Sequence, residues 1–257
     1  MHSILYDTPS DLEQLCRISG KLTQEDLLAI PQLKASMALL GFLLESGPVK
    51  ATAKGNPPRA LVLRWWDQEF GPRHDNERTR QILRPNQEQG AWLLYYCRLI
   101  IRKAGLIKLH EHKFSITDKG RKIYEDKKYV TMYRALFLAL GWEVSWNTGR
   151  TYYQILPELV QQSFIFNLHL LGKLARDWID GDALADAYLR AFPMLLDEYE
   201  APDTMPIRSL VNISILYSLT HFPCELGLLD RRKKATDSYS YDYKLSPLFD
   251  CIIEWNL

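Results

Sequence analysis

The feature that most constrains this chain is a short alternating stretch that follows a long apolar run. Residues 105–125 read GLIKLHEHKFSITDKGRKIYE. Apolar and polar residues alternate on both sides of a central turn, which predicts two antiparallel strands. Gly105 can end the preceding helix, and Thr117 or Asp118 can cap the next one. The stretch therefore predicts a helix, a hairpin between about 106–110 and 114–117, and a second helix.

The same order of elements recurs along the chain. QLKASMALLGFLLES (32–46) is an apolar helix before Gly47-Pro48, and a short strand follows it. Near the C-terminus, IRSLVNISILYSLTHFPCELGLL precedes a strand, a basic and polar loop, and a second strand. Two copies share the motif T-x-K-G, at 52–55 and 117–120, and Leu245-Ser246-Pro247 stands at the third corner. Recurring units of this kind indicate a repeated architecture, so we expect Gly55 and Gly120 at equivalent positions, each in the first turn of a helix.

This order of helices and hairpins is typical of winged-helix modules, which are variants of the helix-turn-helix. We therefore expect a mainly α protein, with tandem winged-helix-like modules and short two-stranded wings around a helical middle. The modules should lie near 30–70, 87–127 and 205–257. The corresponding domains are 1–128 (N-terminal helices and two modules), 129–204 (helical middle) and 205–257 (a degenerate module).

Four segments in this order resemble a group of uncharacterised bacterial proteins. They are VKATAKGNPPRALV, GLIKLHEHKFSITDKGRKI, LPELVQQSFIFNLHLLGKLA and YDYKLSPLFD. In some of those proteins the region lies beside a plasmid-type open-reading-frame domain. The resemblance covers the chain from about residue 30 to the end. It implies a fold with winged-helix-like modules and no known activity, so it brings no catalytic residues.

Positive charge is concentrated in one part of the chain, although the net charge is only +1. Residues 98–134 hold eleven Lys and Arg against four Asp and Glu, whereas 150–205 hold four against nine. A local basic surface favours contact with nucleic-acid phosphates. The sequence thus predicts a regulatory protein that binds duplex DNA through the basic 98–128 surface. The candidate contacts are Arg98, Arg102, Lys108, Lys113, Lys119, Arg121 and Lys122.

The helix before the hairpin favours a different function. In a winged helix it would read base edges, but 91–104 is apolar nearly all the way round, and such a helix is normally buried. The alternative hypothesis is therefore a scaffold that binds a protein partner or self-associates, with its winged helices used as packing units. Both hypotheses remain open at this point.

Catalytic and metal sites find little support in the sequence. Motifs for a serine nucleophile, a P-loop or a dinucleotide site are absent, so we expect no enzyme and no cofactor. His110 and His112 point to one face of a strand, but two ligands do not make a zinc site, and Cys97 is expected in the core.

A cluster of carboxylates lies in WIDGDALADAY, at Asp180, Asp182 and Asp186. We interpret it as a helix end followed by a new helix, with Asp182 as the N-cap and Asp186 close to the positive end of the helix dipole. The adjacent Trp65 and Trp66 lie about 100° apart on a helix, so at most one of them should face the core squarely.

The remaining composition points to a cytoplasmic protein without a membrane partner. The N-terminus, MHSILYDTPSDLEQL, lacks the pattern of a signal peptide, and the sequence contains no run of about 18 apolar residues. The four cysteines are scattered and form no CxxC pair, which favours reduced thiols.

Overall fold

The computed structural model describes residues 16–18, 21–73, 77–85, 92–147, 156–196, 207–234 and 240–256. The chain is mainly helical, with small antiparallel sheets, as the sequence predicts. It divides into a first unit, residues 23–144, and a second unit, residues 1–22 and 145–257. This division places residues 129–144 in the first unit; the three domains expected from the sequence stay a prediction.

The first unit begins with a capped helix. Thr23 and Asp26 form a capping box, in which the Asp26 N–H donates to Thr23 Oγ1 at 3.1 Å and the Thr23 N–H donates to Asp26 Oδ2 at 3.0 Å. The apolar helix α2 follows, with Leu33, Leu39 and Leu40 at 2% exposure or less. The helices of this unit are α1 (Gln24–Ala29), α2 (Pro31–Ser46), α3 (Arg59–Trp65), α4 (Glu77–Leu83), α5 (Trp92–Lys103), α6 (Asp118–Glu125) and α7 (Tyr129–Leu138).

The predicted hairpin is present in the first unit. Its strands β3 (Ile107–His110) and β4 (Lys113–Ile116) pair antiparallel, as the alternation indicated. Glu111 and His112 form the turn with φ angles of 48° and 55°, as in the two-residue turns that match strand twist. A third strand, β2 (Val49–Lys50), pairs antiparallel with β4. The sheet order is therefore β2-β4-β3.

The second unit repeats this arrangement with different residues. Helix α9 (Phe164–Leu174) precedes the two-residue strand β5 (Ile179–Asp180), helices α10 (Gly181–Ala191) and α11 (Ile207–Glu225) follow, and the strands β6 (Leu229–Lys233) and β7 (Tyr241–Leu245) form a hairpin. Its helices are α8 (Leu156–Gln162), α9 (Phe164–Leu174), α10 (Gly181–Ala191), α11 (Ile207–Glu225) and α12 (Phe249–Ile252). Its strands are β1 (Cys16–Ile18), β5 (Ile179–Asp180), β6 (Leu229–Lys233), β7 (Tyr241–Leu245) and β8 (Ile253–Trp255).

Two small sheets organise the second unit. In one, β7 lies between β5 and β6 and is antiparallel to both, so its order β5-β7-β6 matches β2-β4-β3 of the first unit. In the other, β1 pairs antiparallel with β8. In each unit the early strand therefore pairs with the second strand of a later hairpin, and the paired residues are more than 60 positions apart in the chain.

The predicted equivalence of Gly55 and Gly120 is wrong. Gly120 lies in the first turn of α6, where its N–H donates to Thr117 Oγ1 at 3.0 Å. Gly55 lies in a turn after β2 with φ of 76°, and its N–H donates to the Thr52 carbonyl at 2.8 Å. The same four-residue motif thus forms a loop turn in one place and a helix start in the other.

Both indoles of the Trp65–Trp66 pair are buried, at 1% and 5% exposure, although regular helix geometry predicts that at most one faces the core. Different neighbours cover the two rings. Trp65 Nε1 donates to the Ala35 carbonyl at 2.9 Å. Trp66 begins a π-helix over Trp66–Phe70 and stacks on Phe70 with ring centres 6.2 Å apart.

Candidate nucleic-acid interface

The outward face of the first-unit sheet is basic. In the register of the sheet, Lys50 lies opposite Lys113, and Lys113 lies opposite His110. Directly opposed residues share a face of a sheet, and Lys108, two residues before His110, shares it too. All four side chains are exposed. We call this set, Lys50, Lys108, His110 and Lys113, the basic sheet face.

The opposite face of the same strands explains why the basic side points outward. Ile107 and Phe114 are 2% and 1% exposed. Val49 is opposite Phe114 in the register and points the same way. Burial of these apolar side chains fixes the register, because a slip of one residue would turn the lysines inward. The alternation of the sequence therefore determines which residues form the basic sheet face.

Of the seven predicted contacts, Lys108 and Lys113 lie on the basic sheet face. Arg102 is exposed in the last turn of α5, and Lys119, Arg121 and Lys122 are exposed on α6. Sequence reasoning missed Lys50, because a two-residue strand gives no period that would assign its side chain to a face.

Arg98 requires a correction, because it is buried at 4% exposure rather than lying on the surface. Its guanidinium carbon is 5.4 Å from the Tyr95 ring centre and 5.5 Å from that of Phe114. Cations over aromatic rings are stabilised by the charge distribution of the ring. Arg98 therefore packs α5 against β4, and its side chain is not available to phosphate.

Two of the α6 cations already have partners within the protein. Lys119 Nζ donates to the Ala104 carbonyl at 2.8 Å, and it thereby satisfies a carbonyl at the C-terminal end of α5. Arg121 Nη1 lies 3.5 Å from Glu125 Oε1, one helical turn away. A contact with phosphate would compete with these interactions. The cations of the basic sheet face are therefore more available to phosphate than these two.

The helix α5 presents few polar groups to solvent. Leu94, Cys97 and Ile101 are at most 2% exposed, and only Arg102 and Lys103 are exposed along its described side chains. This confirms that the helix is largely buried, and it leaves no row of side chains that could read base edges.

The corresponding helix of the second unit, α11, has a different surface. Two of its polar side chains, Ser214 and Ser218, are buried at 3% and 1%. Ile213, by contrast, is 58% exposed, and Tyr217 and His221 stack in parallel with ring centres 5.0 Å apart. Between Ile213 and His221, the outward side of α11 is therefore mainly aromatic and apolar.

A groove of about 290 Å³ lies beside this side of α11, between it, the start of α10 and the β6–β7 hairpin. We call it the second-unit groove. Its lining residues are Asp180, Gly181, Asp182, Ile213, Leu216, Tyr217, Thr220, His221, Cys224, Arg231, Lys234, Ser240, Tyr241 and Tyr243.

Burial controls the ionisation of two groups in the second-unit groove. Desolvation raises the pKa of the Cys224 thiol to about 12, and the nearby Arg231 offsets only part of this effect. Desolvation also raises the pKa of Tyr243. Both groups stay protonated at neutral pH, so Cys224 is not poised as a nucleophile, which requires the thiolate.

The acidic cluster around Asp182 forms a helix start, as predicted, but the cap is a different residue. Asp180 is the N-cap of α10, and its Oδ1 accepts from the Asp182 N–H at 2.8 Å. Asp186 lies one turn further on and pairs with Arg208 at 2.8 Å, which lowers its pKa mainly through that hydrogen bond.

Among the residues that the structure describes, no three His, Cys, Asp or Glu lie close enough to hold a metal ion. His112 lies in the β3–β4 turn, whereas Cys97 is buried in α5 and its Sγ accepts from Gln32 Nε2 at 3.2 Å. Within the same described ranges, no helix is long and apolar enough to cross a membrane.

Comparison with protein-family models, curated proteins and solved structures finds no match to this chain. The resemblance of its four segments to uncharacterised bacterial proteins therefore stays a prediction.

Proposed function

We propose that this chain is a non-catalytic protein of two winged-helix modules that binds nucleic acid through phosphates. The observation that carries the proposal is the alignment of Lys50, Lys108 and Lys113 on one outward face of a sheet. Three cations at strand spacing form a local positive surface on a chain that is nearly neutral overall. Such a surface attracts the charged backbone of nucleic acid whatever its sequence.

The winged-helix assignment rests on the order of elements in each unit. A helix, a short strand, further helices (three α-helices in the first unit, two in the second) and a hairpin follow one another, and the early strand pairs with the second strand of the hairpin. Winged helices are variants of the helix-turn-helix. In this proposal the module of the first unit spans residues 31–116, and that of the second unit spans residues 164–245.

The proposed contact gives the protein affinity for a duplex, but it does not recognise particular bases. The largely buried α5 exposes only Arg102 and Lys103 along its described side chains, because Arg98 is committed to the Tyr95 and Phe114 rings. Phosphate contacts hold a protein on the duplex, but they do not distinguish sequences. We expect similar affinity for unrelated duplexes of equal length.

Titration of labelled duplex DNA at two salt concentrations tests the proposal. Three phosphate contacts give a slope of log affinity against log salt of about −2.7, which is about a 40-fold loss between roughly 50 and 200 mM salt. Fluorescence anisotropy measures this directly. No detectable binding at about 50 mM salt, or binding that salt does not weaken, would overturn the proposal.

A second candidate function is a scaffold that binds a protein partner or another copy of itself. It is favoured by two apolar side chains on α4, Ile82 and Leu83, which are 71% and 43% exposed. Neighbouring exposed apolar residues can mark an interaction surface. Sedimentation equilibrium tests the self-association form, in which an Ile82→Glu, Leu83→Glu variant would lower the observed mass to that of a monomer. A monomer mass for both the unmodified protein and the variant would contradict self-association.

A further inference from the structure

The walls of the second-unit groove differ in chemistry. The α11 wall carries the stacked rings of Tyr217 and His221, whose planes are 2° apart. The hairpin wall carries Tyr241 and Tyr243. The volume of about 290 Å³ lies just below the range for small-molecule sites, which begins at about 300 Å³. The groove thus has the size and the aromatic surface for one small planar ligand.

Arg231 is the cation that this groove keeps available. It lies opposite Tyr243 on β6, and its guanidinium carbon is 5.5 Å from the Tyr241 ring centre. The other cation that lines the groove, Lys234, pairs with Asp180, and the adjacent Arg232 pairs with Asp242 at 3.0 Å. Among the described residues, no carboxylate forms an ion pair with Arg231. An anionic group of a ligand would therefore be held at Arg231.

A carboxylate lies at the other side of the groove. Asp182 is exposed in the first turn of α10, whereas the neighbouring Asp180 is used as the N-cap and as the partner of Lys234. Strand β5, which leads into α10, and strand β6, which carries Arg231, flank β7 on opposite sides. Two strand spacings separate them, about 10 Å. The site therefore has an acceptor and a cation at opposite ends, with aromatic rings between them.

We propose that the second-unit groove binds a cytosine nucleotide, whose base carries an exocyclic amino group. The base stacks on the aromatic walls, the amino group donates to the Asp182 carboxylate, and the phosphate pairs with the Arg231 guanidinium. Bases stack on aromatic side chains with sequence-tolerant energy. A carboxylate acceptor matches the N4 amino group of cytosine. The inference is independent of duplex binding by the basic sheet face, which lies in the other unit.

Calorimetric titration of the full chain with CMP, UMP, cytidine and ribose 5-phosphate tests this inference. We expect CMP to bind at least about tenfold more tightly than each of the others. UMP lacks the amino group, cytidine lacks the phosphate, and ribose 5-phosphate lacks the base. Equal binding of CMP and UMP would overturn the role of Asp182. Absence of binding to CMP at millimolar concentration would overturn the whole proposal.

Matched variants identify the contacts. Arg231→Gln should weaken CMP about tenfold and leave cytidine unchanged, whereas Asp182→Asn should remove the preference for CMP over UMP. Arg232→Gln is the control, since it removes the same charge from the next residue of β6, which points to the other face of the sheet. A loss of CMP affinity in Arg232→Gln equal to that in Arg231→Gln would contradict a specific phosphate contact.

The same chemistry occurs in a free nucleotide and in an unpaired nucleotide of a single strand. Competition between CMP and a short single-stranded oligo(dC) separates the two sources. Displacement of CMP assigns the groove to single strands, and failure to displace it assigns the groove to free nucleotide. Substitution of the lysines on the basic sheet face should remove duplex binding and leave CMP binding unchanged. Failure of one proposal therefore does not imply failure of the other.

Discussion

Thr117 and Ser246 occupy the same corner in the two units of this protein. Thr117 Oγ1 donates to the Gly105 carbonyl at 2.7 Å, and Ser246 Oγ donates to the Gly227 carbonyl at 2.5 Å. Both glycines have left-handed φ angles, 72° and 70°. In each unit a hydroxyl at the end of the hairpin thus satisfies a carbonyl at the end of the helix before it.

Loss of either hydroxyl should therefore destabilise the protein. We expect Thr117→Val and Ser246→Ala each to lower the free energy of unfolding by about 1 kcal/mol, because a hydrogen bond is lost and a carbonyl loses its partner. Thr131→Val is the control, since Thr131 is exposed on α7. Urea unfolding measures the difference. Equal stability of all three variants would contradict a shared structural role for the corner.

Gly120 is required by close packing of two backbones. A Cβ atom at this position would lie 2.1 Å from the Leu106 carbonyl oxygen. We expect Gly120→Ala to destabilise the protein by about 3 kcal/mol, as overpacking does.

Gly172 provides the comparison for this substitution. A Cβ atom there would meet the Phe249 ring at 3.4 Å, an ordinary contact. Gly172→Ala should leave thermal stability unchanged or raise it, because Ala favours helix by about 1 kcal/mol. A Gly120→Ala protein that melts at the same temperature as Gly172→Ala would show that the backbone approach is not tight.

Burial of Arg98 predicts an effect on stability rather than on nucleic-acid binding. Arg98→Ala should cost about 2 kcal/mol, because the contacts with Tyr95 and Phe114 are lost from a buried site. Arg102→Ala, one helical turn away and exposed, should change stability by less than about 0.5 kcal/mol. The reverse order of the two effects in urea unfolding would place Arg98 at the surface.

The raised pKa of Cys224 predicts a loss of stability in alkaline solution. The folded pKa is about 12, against an ordinary value of 9.0. The contribution of the neutral thiol is therefore complete below about pH 9 and is lost as the pH rises toward 12, because only the unfolded chain ionises readily in this window. Cys224→Ala should reduce the fall in unfolding free energy between about pH 8 and 10.

Cys251 is exposed and supplies the control for this pH dependence. Cys251→Ala should keep the alkaline loss of stability that the unmodified protein has. An identical pH dependence in the Cys224 and Cys251 variants would contradict the desolvation of Cys224.

The parts of the fold that follow from sequence are those with enough residues to display a period. The β3–β4 hairpin alternates over ten residues, and the capping box at Thr23 and Asp26 is a local pattern. The strands Val49–Lys50 and Ile179–Asp180 have two residues each, which is too short for alternation to mark them. Each of these strands pairs with a hairpin far along the chain, and such tertiary contacts leave no local sequence pattern. The sequence therefore suggested three modules, whereas the sheets form only two equivalent arrangements.

The candidate site was likewise predictable only where a local sequence pattern places its residues. Alternation places Lys108 and Lys113 on the solvent side, but only the pairing of β2 with β4 brings Lys50 beside them. Arg98 was predicted as a contact from the positive charge of the 98–128 region, and local charge does not show whether a side chain is buried. The contacts that bury it come from Phe114 on β4, and helix periodicity carries no information about that strand. The second-unit groove is formed by α10, α11 and the β6–β7 hairpin, and no local sequence pattern predicts that these elements come together.

The most direct test of the central claim is the salt dependence of duplex DNA affinity in a triple variant of the basic sheet face. Lys50→Gln, Lys108→Gln, Lys113→Gln should flatten the slope of log affinity against log salt by about 2.7, since each phosphate contact contributes about 0.9. The control removes three exposed lysines elsewhere, in Lys34→Gln, Lys127→Gln, Lys173→Gln, and should keep the slope of the unmodified protein. Equal slopes in the two triple variants, with both proteins folded, would contradict phosphate binding by this face.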